Sequence, residues 1–289
     1  MKILGIDTSK WNGAMDWRLA IANGAKFAYI KASQWGPDER FTESWKNSKG
    51  LLPRGAYHFL DWGWSEVDQA KLFVKTMGND LGELPPCLDL EQQPSSYGLD
   101  PALVSRKAWR FLTTVESLTG RTPTIYTGYY FWNYWGSRDE MWTRFHFWLP
   151  WYASELYIKL ASGGTGAPKP WKDWTFWQYS SKANGLAYGC QSLRVDINQF
   201  NGTEEDLSKF AGGASIPTSV PPIENLYVAN CNPRVRSSPD SSSDANVIGM
   251  LVMGTRVIVD EVQGNWAHFS PQTNFPAGGW AWKDYLTKI

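Results

Sequence analysis

Leu88-Asp89-Leu90-Glu91 sets two acids two residues apart between leucines. In an extended chain the two-residue side-chain period turns both carboxyls to one side and both leucines to the other. The Cα atoms of such a pair lie about 6.6 to 6.8 Å apart, so each carboxyl feels its neighbour. Nearby negative charge and partial burial raise the pKa of one member, leaving a protonated acid beside an ionised partner near neutral pH. Cleavage of a glycosidic bond needs that division of labour. Asp-x-Glu is a common triplet, so its surroundings must decide whether it is chemical. Two more acids, Asp7 and Asp196, close or sit within other short apolar runs.

The elements that must position these acids can be read from the pattern. Strand-like runs cover 3–7, 27–32, 55–60, 86–91, 123–127, 147–153, 174–179 and 194–197, with helix-like stretches between most of them. Ser65-Glu-Val-Asp68 resembles a capping box, and Asp100-Pro101 puts a capping side chain before a first-turn proline. Alternation of this kind predicts an α/β chain with a parallel sheet, and about eight strands predict a closed, TIM-like β/α barrel. Little helix separates the late strands, so the second half of the barrel is expected to be irregular. In such a barrel the carboxyl ends of the strands share one face, where Asp7, Asp89, Glu91 and Asp196 are predicted to converge.

Bulk properties exclude several classes. The 289 residues carry 28 basic and 28 acidic side chains, so no net field draws the chain to nucleic acid or an anionic membrane. No apolar window approaches the length of a membrane span. Cys87, Cys190 and Cys231 are distant and odd in number, against a disulfide framework or a Cys-x-x-Cys knuckle. Asp7 breaks the first apolar run before a secretory signal core could form. The 18 Trp are the anomaly. Core packing accounts for many, and the surplus points to carbohydrate, whose ring faces stack on flat aromatics.

The resemblance becomes specific over several motifs in order: Gly5-Ile-Asp7-Thr-Ser, Phe27-Ala-Tyr-Ile-Lys31-Ala, Gly55-Ala-Tyr57-His58-Phe59, Leu88-Asp89-Leu90-Glu91, Ile125-Tyr126-Thr127, Trp177-Gln178-Tyr179 and Val195-Asp196-Ile197-Asn198. Together they resemble glycoside hydrolase family 25, the N-acetylmuramidases or Chalaropsis-type lysozymes, over residues 1 to about 205. The resemblance implies a flattened barrel and cleavage of the β-1,4 bond between N-acetylmuramic acid and N-acetylglucosamine with retention. It needs neither cofactor nor metal. Glu91 would be the general acid and then the base, and Asp89 would assist the intermediate, as nucleophile or by orienting the sugar's acetamido group. Asp7 and Asp196 would tune the pair, while Tyr57, Tyr126, Trp151 and Gln178 would line the groove. One departure concerns Gln34, where many members carry Glu after the Lys-Ala-Thr stretch. An altered pH response, with activity retained, is the expected result.

Residues 211–224 are rich in Gly, Pro and Ser and read as a linker between a barrel at 1–210 and a small all-β domain at 225–289. The tail, with Arg234-Val-Arg-Ser-Ser-Pro239 and Gly279-Trp-Ala-Trp282, resembles a bacterial SH3-type wall-targeting module, and Tyr227, Trp266, Trp280 and Trp282 are its candidate contacts. The expected partner is the peptidoglycan of a Gram-positive wall. With no signal read, the architecture suggests a phage endolysin made in the host cytoplasm and released by a holin to act on the wall, with a bacterial autolysin exported by another route as the alternative. Two rivals remain open. One is a wall amidase or peptidase using zinc or a Cys–His pair, although His58, His146 and His268 are scattered and Cys87, which shares the parity of Asp89, has no evident partner. The other is a catalytically weak wall-binding protein, against which all four expected acids count.

Overall fold

The computed structural model describes residues 3–214, 216, 225–269, 275 and 277–289. Eight strands, β1 (Ile3–Thr8), β2 (Phe27–Ser33), β3 (Arg54–Phe59), β4 (Cys87–Asp89), β5 (Thr124–Tyr126), β6 (His146–Pro150), β7 (Phe176–Asn184) and β8 (Arg194–Phe200), close into a barrel in chain order. Pairings from β1 through β7 are parallel. The last strand, β8, runs antiparallel to β1, with Asp7 opposite Asp196. This reversal corrects one expectation. Asp196 is the third residue of its strand, and it reaches the same rim as the carboxyl ends of β1 to β7 only because β8 runs backwards.

The helices are α1 (Trp17–Ala22), α2 (Phe41–Ser48), α3 (Glu66–Met77), α4 (Pro101–Thr119), α5 (Tyr129–Trp135), α6 (Glu155–Ala161) and α7 (Glu204–Phe210). Both expected helix starts are present. The Ser65 hydroxyl accepts from the Asp68 N–H, and the Asp100 carboxylate accepts from the Leu103 N–H at 2.7 Å, satisfying first-turn donors. The irregular second half is also present: α5 and α6 have seven residues each, and only the single turn Leu186–Tyr188 lies between β7 and β8.

The barrel interior is a packed aromatic core. Tyr29 lies 4.6 Å from Trp148, Phe27 5.1 Å from Phe176, and Phe176 5.4 Å from Phe200, measured between ring centroids. Gly5 and Gly55 make room for this packing, because a Cβ on either would overlap the Phe27 or Tyr29 ring. Nine of the 18 Trp are buried, so most of the aromatic surplus is structural, and only Trp11, Trp35 and Trp64 are exposed. Of the expected linker, Ala211, Ala214 and Ile216 pack against the barrel core. Residues 215 and 217–224 lie outside the described residues.

The chain divides into two compact units. One holds the described residues of Met1–Lys10, Ala25–Lys182 and Asp196–Ile216; the other holds those of Trp11–Gly24, Ala183–Val195 and Pro217–Ile289. Within the second unit, the Asp16 N–H donates to the Gly189 carbonyl at 2.8 Å, tying the start of α1 to the turn before β8. The tail forms a seven-stranded sheet in the order β11-β10-β14-β13-β12-β9-β15. Its strands are β9 (Leu226–Ala229), β10 (Arg234–Arg236), β11 (Val247–Met250), β12 (Arg256–Gln263), β13 (Trp266–Phe269), β14 (Gly279–Trp282) and β15 (Leu286–Lys288). A turn at Gly264-Asn265 joins β12 to β13, and Gly264 takes a φ of 58° there. Val235, Val257, Phe269 and Ala281 are among the fully buried residues of the tail's own core. Among the described residues, no helix is long and apolar enough to cross a membrane.

Candidate active site

Four acids meet at the rim. Asp7 is near the end of β1 and Asp89 ends β4; both are buried, at 6% and 7% exposure. Glu91 lies two residues past the last residue of β4 and is exposed, so the extended pattern expected to run through Glu91 stops at Asp89. The carboxyls still converge, because Asp89 feels Glu91 and Asp7, and Asp196 feels Asp7 and Glu91.

Asp7 is held by a directional chain of hydrogen bonds. Its Oδ2 accepts from Gln178 Nε2 at 2.9 Å and from Asn198 Nδ2 at 2.8 Å. Gln178 Oε1 accepts from the hydroxyls of Tyr126, at 3.0 Å, and Tyr152, at 2.7 Å, while Asn198 Oδ1 accepts from Trp148 Nε1 at 2.9 Å. The tyrosines and the indole fix the amide oxygens, so both amides must present N–H groups to Asp7. That polarity favours an ionised Asp7. Burial nevertheless pushes its carboxyl up to about 6, against the bonds from Asn198, Gln178 and Asp196. Burial and the charges of Asp7 and Glu91 push Asp196 up to about 8, and the two acids are hydrogen-bonded. They therefore share a proton through the neutral range, Asp196 donating and Asp7 accepting.

Asp89 is pushed well above the usual carboxylate range, first by burial and then by Glu91 and Asp7. Its Oδ1 is buried and has no hydrogen-bond partner among the described residues. Glu91 is raised by loss of solvent around its carboxyl and by Asp7, with Lys31 opposing. Lys31 supplies a local positive charge. Its Nζ donates to Gln34 Oε1 at 2.9 Å and lies 4.8 Å above the Phe59 ring, and Phe59 pairs with Asp89 across β3 and β4. The site is thus rich in acid and short of countercharge, which keeps protons on some carboxyls at neutral pH.

The other expected residues divide. Tyr57 is half-buried and faces the acids, since after burial the charges of Asp7, Asp89 and Asp196 raise its phenol. Tyr126 is buried and acts through Gln178. Trp151 lies just past β6. Its ring stacks on Tyr129 at 4.6 Å and meets Tyr130 edge-on at 5.5 Å, and its backbone N–H donates to the Gln178 backbone carbonyl at 3.1 Å. Sequence reading gave no role to Asn198, Lys31, Trp148 or Tyr152. Two-residue alternation from Asp196 could have flagged Asn198, whereas Tyr152 follows a strand end and carries no periodic signal.

The groups needed by the rival enzymes are differently placed. Cys87 points into the core beneath Asp89, where burial raises its thiol far above a reactive range. His58 is sealed between Ser33 and Gln69, and burial holds it neutral, down to about 4. Among the described residues, no group of three metal-ligating side chains is assembled.

In the tail, Trp266 and Trp282 meet edge-to-face at 5.0 Å and, with Cys231, Arg236 and Tyr285, line a cleft of about 560 Å³. The other two tail candidates sit elsewhere. Trp280 packs 5.1 Å from His268, and Tyr227 lies against the tail core with Lys288 6.0 Å from its ring.

The chain is 33% identical over 222 residues to YegX of Escherichia coli K12, covering 73% of this chain and 74% of that protein. Lysozyme M1 of Streptomyces globisporus is 34% identical over 228 residues, covering 74% and 72% respectively. The bacterial lysozyme of Streptomyces coelicolor superposes with a TM-score of 0.62 at 29% identity, covering 74% of this chain and 99% of that one. A bacterial SH3 domain matches residues 232–287. Glycosyl hydrolases family 25 matches residues 6–186, so the eight-stranded barrel with its rim of acids belongs to that family.

Proposed function

We propose that the barrel cleaves the β-1,4 bond between N-acetylmuramic acid and N-acetylglucosamine in peptidoglycan, with Glu91 as acid and base. The observation that carries this reading is the convergence of Asp7, Asp89, Glu91 and Asp196 with raised pKa values at one rim. Lysozyme M1 and the N,O-diacetylmuramidase of Chalaropsis, relatives in sequence, support the substrate class. Burial and Asp7 hold the Glu91 carboxyl above the ordinary glutamate range, which favours the protonated form that gives its proton to the leaving oxygen and then takes one from water. Asp89 orients the acetamido group, whose oxygen attacks the anomeric carbon as the glycosidic bond breaks; water activated by Glu91 then displaces that oxygen with a second inversion, so the configuration is retained. Its unpartnered Oδ1 is a free acceptor for the acetamido N–H. The Asp7–Asp196 pair holds one proton in reserve beside them. Digestion of purified peptidoglycan tests the reading through its new ends. Reducing muramic acid is expected; reducing glucosamine or free amino groups would overturn it.

Gln34 sets the charge available to the acids. A Glu here would place its carboxylate on the Lys31 ammonium, which otherwise faces Asp89, Asp38 and Glu91, with Lys10 as a neighbouring cation. Both the added charge and the engaged lysine would raise the neighbouring carboxyls. Gln34→Glu is therefore expected to move the pH profile of kcat/KM upward, by up to about 1 pH unit. An unmoved profile, measured on soluble glycan, would remove Lys31 from the account.

The tail is proposed as the wall-binding module, using Trp266 and Trp282 of the aromatic cleft. Trp282→Ala should weaken cosedimentation with walls about tenfold while leaving the hydrolysis of soluble fragments unchanged. A Gram-positive target and a phage lysis setting fit a wall-cutting barrel joined to such a module, and lysis assays across isolated walls would test both.

A further inference from the structure

Trp35 presents an exposure that folding does not require. It is 71% exposed at the tip of the loop after β2, yet the loop is fixed. The Gln34 N–H donates to the Gly36 carbonyl at 3.0 Å, the Asp38 N–H to the Ala32 carbonyl at 2.8 Å, and Ser33 bridges Pro37. The Trp35 side chain reaches the carboxylate of Asp61, a residue only 7% exposed, and helps hold that carboxyl below its usual range. An exposed Trp is costly to leave in water, and ordering its ring adds an entropic cost. A fixed loop that presents the ring beside a buried carboxylate prepares it for a ligand.

Asp61 organises a second aromatic in the same way. It accepts from the Gly63 N–H at 2.8 Å and from Gln92 Nε2 at 3.0 Å, and Gln92 Nε2 also donates to the Tyr97 oxygen at 3.0 Å. The Gln92 Oε1 accepts from the Trp62 N–H at 2.9 Å, and its carbonyl from Trp62 Nε1 at 2.6 Å. Tyr97 is 41% exposed, and its ring passes so near Gly63 that an added Cβ would lie 3.2 Å from it. Burial works to raise the Asp61 carboxyl, but these bonds hold it below the usual range, so it remains an anionic anchor. The network touches the acids at two points. Gln92 follows Glu91 directly, and Trp35 follows Gln34, the partner of Lys31.

We propose that Trp35 and Tyr97, pinned by Asp61 and Gln92, form a stacking platform for a sugar of the glycan strand beyond the two that flank the cut bond. The ligand class is a pyranose of the N-acetylhexosamine chain, whose apolar ring face and acetamido methyl suit an indole face, and this rests on the glycan-cleaving reading above. The platform contributes binding to long strands and none to the chemistry at Glu91.

The test compares the full-length protein and its variants on peptide-free glycan strands of many disaccharides and on the shortest fragment that is still cut. For Trp35→Ala we expect KM on long strands to rise about tenfold, as loss of one aromatic contact implies, with kcat unchanged and short-fragment kinetics unaltered. Trp35→Phe, which keeps a smaller ring without the indole N–H, should fall between. Equal losses on both substrates, no change on long strands, or an effect seen only when stem peptides are present would each overturn the platform. Failure of the wild-type protein to cut either glycan would instead overturn the reading of the acids, and the platform with it.

Discussion

Glu91→Gln lowers turnover on peptidoglycan by roughly 10² to 10⁴ fold while the fold stays intact, the loss expected when a general acid is removed. Several features set the size of this effect. Glu91 is the exposed member of the cluster, so it can reach a glycosidic oxygen, whereas Asp7 and Asp89 are buried. Its carboxyl is raised by loss of solvent and by Asp7, so it carries a proton where an ordinary glutamate would not. Glutamine keeps the shape and a hydrogen-bond donor but has no proton to give. Binding should therefore survive, and the loss should fall on kcat more than on KM. Unimpaired turnover would falsify the assignment and send the search to Asp196, whose carboxyl is pushed up to about 8.

Much of the scaffold was legible in the residues, because barrel strands are short apolar runs punctuated by helix caps. The run at 27–32 and the capping pairs at Ser65 and Asp100 mark local physics that tertiary context did not override. Strand direction was not legible. Nothing within Arg194-Val-Asp-Ile-Asn tells a parallel strand from an antiparallel one, since both alternate with period two. The acids were found by type and spacing, but their supports were not. Gln178 and Asn198 act on Asp7 from 171 and 191 residues away in sequence. The Asp61 network likewise joins loops after β2, β3 and β4 that have no common pattern. The aromatic surplus misled in part, since Trp132, Trp148 and Trp171 fill the interior, and only the burial of each ring separates packing from display.

Asp89→Asn should do two opposite things, and their combination distinguishes a chemical role from a structural one. On activity, an amide oxygen accepts from the acetamido N–H more weakly than a carboxylate and carries no charge, and a misaligned acetamido costs about 10² fold or more. On stability, the sign follows from the raised pKa. A carboxyl whose folded value lies above its unfolded value near 3.8 stabilises the fold while protonated. That advantage is fully present below the unfolded pKa and is lost as pH rises through the folded one. Asp7 and Asp196, at about 6 and about 8, share this sign with Asp89, so the wild type should lose stability steadily from about pH 4 to about pH 8. Removing the Asp89 charge relieves the repulsion on Glu91 and Asp7 and flattens that slope. At pH 4 the variant and wild type should melt together. At pH 8 the variant should melt higher, by about 2–4 °C for each kcal/mol of repulsion relieved. Thermal melts at the two pH values, beside kcat on soluble glycan, decide the matter. A variant that melts lower at pH 8, or one that turns over normally, would mean that Asp89 is held in place for the fold and that the trade of stability for activity at this rim does not exist.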